Sequence, residues 1–94
     1  MMKLLSAGAR ERVQFELTVG PGKAVFVAGT FNKWSPTANR MKDNPGSGHC
    51  KATLNVTKGR HEYKFIVNGV WALDPKCPEW IPNGCGSLNS VFRV

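Results

Sequence analysis

Apolar side chains at Val13, Phe15, Leu17 and Val19 alternate with Gln14, Glu16 and Thr18. A period of two with one apolar face predicts a half-buried strand. After the turn at Gly20-Pro21-Gly22, the unbroken apolar run Ala24–Gly29 reads as a central strand covered on both faces. Cys50, Ala52, Leu54 and Val56 mark the inner face of a strand over residues 49–56, and Thr57-Lys58-Gly59-Arg60 turns the chain into the next one, His61 to Val67. A short strand or edge contact is expected at Met41, and a last strand over Leu88–Val94. A proline-punctuated loop should occupy residues 74–87, and residues 1–10 read as a flexible lead-in to a domain spanning 11–94. Short strands at this spacing, with turn signals between them and no helix-period segment, predict an all-β sandwich of about seven to eight strands.

Asn68-Gly69 between two apolar runs is the strongest hairpin signal in the chain, because a type I′ turn needs positive φ at both central residues. A two-residue loop there sets Val67 opposite Val70, Ile66 opposite Trp71 and Phe65 opposite Ala72. Lys64, Ile66, Trp71 and Leu73 then share one face, while Tyr63, Phe65, Val67, Val70 and Ala72 share the other. The second set is more uniformly apolar and is the candidate core. Trp71 is left on the outer face with Lys64 diagonal to it. A flat apolar ring beside hydrogen-bonding groups can stack on a pyranose ring and satisfy its hydroxyls. The same ring could instead be cross-strand packing beneath a loop, and the hairpin alone leaves the two even. Trp34 lies in the loop Gly29-Thr30-Phe31-Asn32-Lys33-Trp34-Ser35-Pro36, where it either plugs the core or stands free; Trp80, next to Ile81 and Pro82, is expected to pack under the long loop.

Composition narrows the classes. The chain has 94 residues, enough for one small core, and its 41% apolar content fits a globular domain. The net charge of +7 raises nucleic acid or anionic membrane as partners, but the basic residues are spread from Lys3 to Arg93 without a run. A solvated basic surface is the better account, and neither partner is expected. Three cysteines without a CxxC pair imply neither a disulfide framework nor a metal site. No signal peptide or membrane span is visible, so a cytoplasmic setting is expected. The six acidic residues include no evident pair for glycoside hydrolysis, and no nucleophile or phosphate-binding loop stands out, so neither an enzyme nor a bound cofactor is expected.

Val25-Phe26-Val27-Ala28-Gly29-Thr30-Phe31-Asn32-Lys33-Trp34 and Gly59-Arg60-His61-Glu62-Tyr63-Lys64-Phe65-Ile66-Val67-Asn68-Gly69-Val70-Trp71 resemble the glycogen-binding domain of AMP-activated protein kinase β subunits. That domain is one of the family-48 carbohydrate-binding modules. Asp74-Pro75 and Pro82-Asn83-Gly84-Cys85-Gly86-Ser87-Leu88-Asn89-Ser90-Val91 look like the bacterial small-protein version. The resemblance implies an immunoglobulin-like, early-set sandwich that binds α-1,4-glucan such as glycogen, starch or maltooligosaccharide without catalysis. The family's stacking tryptophans fall on Trp34 and Trp71, its hydroxyl-binding lysine on Lys64 and its asparagine on Asn89. Cys85 replaces a leucine that reaches through the sugar ring, and Ser87 replaces a threonine; both changes should weaken binding. Several relatives are docking domains with little sugar affinity, so a protein-interaction module is the alternative.

Overall fold

The computed structural model describes residues 2–6, 10–20, 22–43, 48–84 and 87–94, with the backbone alone for 2–6 and 10. Nine strands are found among them: β1 (Met2–Ser6), β2 (Arg10–Thr18), β3 (Val25–Gly29), β4 (Lys42–Asp43), β5 (His49–Thr57), β6 (Arg60–Val67), β7 (Val70–Ala72), β8 (Trp80–Pro82) and β9 (Leu88–Arg93). They form two antiparallel sheets, one ordered β1-β2-β5-β4 and the other β3-β6-β9-β8, with β7 added alongside β6. The expected all-β sandwich is present.

The alternation along β2 has its predicted effect. Val13, Phe15 and Leu17 point inward from one sheet and meet Val25, Val27, Tyr63, Phe65 and Phe92 from the other. Phe15 is the hub, with its ring centroid 5.0 Å from Tyr63, 5.3 Å from Phe31 and 5.7 Å from Phe92. Tilted and edge-on pairs at these separations suit the aromatic quadrupole as well as burying area. Cys50 and Val56 close the core from β5, and Met41 from the segment before β4.

Four expectations shift. The backbone of residues 2–6 runs as β1 along β2, from Met2 opposite Phe15 to Ser6 opposite Arg12, where a lead-in was expected. β3 is buried but not central, because β6 takes that place. The free edge of β3 is instead covered by the chain around Met41, whose N–H donates to the Val25 carbonyl at 2.8 Å. Val70, assigned to the core face, is 67% exposed, since it sits at the hairpin tip. Trp80 is 55% exposed, because β8 pairs only with β9 at the end of its sheet. The prolines around it concealed this strand: Pro82 has no N–H to donate and is tolerated on an edge.

Candidate functional site

The hairpin register is the predicted one, with Val67 opposite Val70, Ile66 opposite Trp71 and Phe65 opposite Ala72. Asn68 and Gly69 have φ of 48° and 82°, as a type I′ turn requires. The Asn68 amide side chain also accepts from Ala24 N–H at 2.9 Å, which ties the turn to the start of β3. Trp71 therefore stands on the outer face of the second sheet, 44% exposed. β7 ends at Ala72, so Leu73 lies beyond the paired residues.

A different device presents Trp34. Phe31 packs its ring against Phe15 in the core, fixing one side of the loop. Asn32 staples the other. Its Oδ1 accepts from Gly29 N–H at 3.0 Å, while its Nδ2 donates to the Val27 carbonyl at 3.0 Å and to Asn39 Oδ1 at 2.8 Å. Lys33 and Trp34 then both adopt left-handed backbone, φ 57° and 58°, and Trp34 N–H donates to the Gly29 carbonyl at 2.9 Å. Two non-glycine residues in this region are unfavourable unless their surroundings hold them there. Gly29 has to be glycine for a separate reason: a Cβ there would lie 2.4 Å from the Glu62 carbonyl oxygen.

Alternation along β6 places Glu62 and Lys64 on the outer face, and β9 brings Asn89 beside them. Lys64 is only 8% exposed; its stem is covered and its Nζ donates to Ser87 Oγ at 2.5 Å. Asn89 donates from Nδ2 to Glu62 Oε1 at 2.9 Å and accepts from Asn83 Nδ2 at 3.3 Å. Glu62 Oε2 accepts from Arg60 at 2.8 Å. The hydrogen bond from Asn89, helped by Arg60, holds the Glu62 carboxyl below its ordinary value against the opposing effect of burial.

These side chains line one open groove together with Thr30 and Pro82. Trp34, Lys64, Trp71, Ser87 and Asn89, singled out from the sequence, all border it. Cys85 lies outside the described residues. Glu62, Thr30, Pro82 and Asn83 were not singled out. Strand phase placed Glu62 on the same face as Lys64, and that signal could have found it; Thr30, Pro82 and Asn83 carried none. Beneath the sheet, Tyr63 Oη donates to the buried Asp74 at 2.6 Å, and Asp74 N–H donates to Ser90 Oγ at 3.3 Å. This pair anchors the connection that follows Trp71. Among the described residues no group of three or more His, Cys, Asp or Glu could hold a metal ion, and Cys50 and Cys77 are free thiols.

Residues 12–94 match the family model described as the glycogen recognition site of AMP-activated protein kinase. The chain is 37% identical over 89 residues to the 5'-AMP-activated protein kinase subunit beta-1 of Sus scrofa, covering 95% of this chain and 67% of that protein. It is 36% identical over 73 residues to subunit beta-2 of Mus musculus, of which it covers 26%. The chain thus spans about a quarter of the length of several of these relatives. Among solved structures, the enterobactin esterase from Shigella flexneri superposes with a TM-score of 0.77 at 15% identity, over 98% of this chain and 32% of that one. This likeness concerns the fold alone.

Proposed function

The chain belongs to the family of the glycogen recognition site of AMP-activated protein kinase, and from that premise we propose that it is a non-catalytic module that binds α-1,4-glucan. The sandwich is of the immunoglobulin-like early-set kind, and the setting is cytoplasmic. One observation carries the proposal: Trp34, Lys64, Trp71, Ser87 and Asn89, drawn from four separate segments, border a single groove. Trp71 and Trp34 offer rings for the apolar faces of successive glucose units. Lys64 and Asn89 supply donors for their hydroxyls, and Ser87 holds the ammonium of Lys64 at the rim. Rigid aromatic platforms cost little side-chain entropy, which suits a repetitive polymer. Cys85, smaller than the leucine that the family resemblance implies at this position, should lower the grip of the site without removing the platform.

Electrophoresis through a native gel containing amylopectin is the test. The wild type should be retarded, Trp71→Ala should lose more than about tenfold in affinity, and both should respond little to salt because the ligand is neutral. A wild type that migrates as it does without amylopectin overturns the proposal and leaves a protein-docking module. Retention that collapses steeply with salt would mean that charged contacts carry the binding and overturns the stacking reading.

A further inference from the structure

Glu62 projects from β6 into the groove with its side chain 23% exposed, on the same strand face as Lys64. Its two oxygens are each engaged once, by Asn89 at 2.9 Å and Arg60 at 2.8 Å. An ionised carboxylate has about four acceptor positions, so acceptor capacity is left for a ligand. Beside it, Lys64 only donates, and the Asn89 carbonyl oxygen is already engaged by Asn83. Lys64 has three N–H groups, one of them given to Ser87, and Asn89 has two, one of them given to Glu62. A groove of donors alone would favour anions, which only accept. Adjacent sugar hydroxyls both donate and accept, and they need a strong acceptor beside those donors.

We propose that Glu62 is a ligand-binding residue of this groove: its carboxylate accepts a hydrogen bond from a sugar hydroxyl, and its charge selects neutral sugars over uronic or phosphorylated ones. The proposal rests on the glucan-binding reading and adds to it an acceptor and a basis for charge discrimination. A charge-assisted bond is roughly twice as strong as a neutral one. A ligand carboxylate or phosphate near Glu62 would meet like charge in a partly desolvated site, where repulsion is stronger than in bulk water. Lys64 and Arg60 without Glu62 would attract such groups; the Glu62 carboxylate between them offsets part of that attraction.

Glu62 could instead serve only to orient the Asn89 amide. Substitution separates the two roles, because Glu62→Gln keeps an acceptor oxygen for Asn89 and removes the charge, whereas Glu62→Ala removes both. Calorimetric titration with maltoheptaose and with carboxymethylated amylose at fixed ionic strength, on wild type, Glu62→Gln, Glu62→Asp, Glu62→Ala and Trp71→Ala, reads the outcome. Glu62→Gln should bind maltoheptaose about tenfold more weakly and shift preference toward the carboxymethylated polymer. Glu62→Asp, which keeps the charge, should fall between it and wild type and retain the neutral preference. Glu62→Gln matching wild type on both ligands, with Glu62→Ala alone impaired, overturns the proposal and leaves Glu62 a positioning residue. If Trp71→Ala loses binding while every Glu62 variant keeps it, this inference fails and glucan binding stands. A wild type that binds neither ligand overturns both.

Discussion

The inner and outer faces of β6 are made from alternate residues of the same eight, yet they differ in every interaction they make. Inward, Tyr63 and Phe65 meet other rings, with Tyr63 5.6 Å from Phe92 and 5.7 Å from Phe65. Outward, Glu62 and Lys64 bond directly to Asn89 and Ser87, and all four line a solvent-open groove. Inward, shape complementarity dominates and the Tyr63–Asp74 hydrogen bond adds direction; the outer contacts fix amide and carboxylate orientation before any ligand arrives. A period-two strand thus separates stability from recognition within one element, and the separation makes a quantitative demand. Substitutions on the inner face should move melting, and those on the outer face should move affinity.

The largest effect belongs to Phe65→Ala. Phe65 is fully buried, and deleting its ring should cost about 3–5 kcal/mol, measured by urea denaturation. In so small a domain that is a large share of total stability. A loss below about 1 kcal/mol would break the contrast between the faces.

Tyr63→Phe comes second. Removing one hydroxyl leaves the buried Asp74 without its 2.6 Å donor, which should cost about 1–3 kcal/mol. Burial, with the hydrogen bond to Asp74, pushes the Tyr63 phenol far above its ordinary value of 10.0. The folded form therefore holds its proton where the unfolded chain releases it. This contribution is complete below pH 10 or so and is lost as pH rises beyond it. Tyr63 is the only tyrosine in the chain, so tyrosinate absorbance in an alkaline titration should appear together with unfolding. Tyr63→Phe should lack that alkaline dependence. Tyrosinate appearing in the folded protein near pH 10 would place Tyr63 outside the core.

The two faces were not equally legible in the sequence. Alternation in β2 and β5 and the Asn68-Gly69 turn determined the inner face, because burial and turn conformation act on neighbouring residues. The same phase put Lys64 and Trp71 together, but it could not say whether the tryptophan was packing or platform. Trp34 reaches the groove only through the Asn32 staple and two left-handed residues, a loop conformation that no periodicity encodes. Glu62 was in phase and still passed over, because Asn89, the partner that ties it to the groove, lies 27 residues away in the chain. The exposure of Trp80 was missed because local composition reports apolarity and not which strand lies at a sheet edge.

Lys64 is the residue that presses hardest on the division between faces, since it points outward yet is 8% exposed. If its role were packing, the amine would be incidental and the stem would carry the stability. If it serves the groove, the amine matters and the stem is only a support. Lys64→Met divides the two, because methionine retains an unbranched apolar stem and deletes the ammonium. The change also removes the bond to Ser87 and, with it, the cost of keeping a cation out of water, and these oppose each other. The net stability change should therefore stay within about 1 kcal/mol, a shift of a few degrees in Tm. Affinity for maltoheptaose should fall about tenfold, as expected for one lost hydrogen bond from a charged donor. A large drop in Tm with affinity preserved would assign Lys64 to the fold and shrink the recognition face to its tryptophans and Asn89.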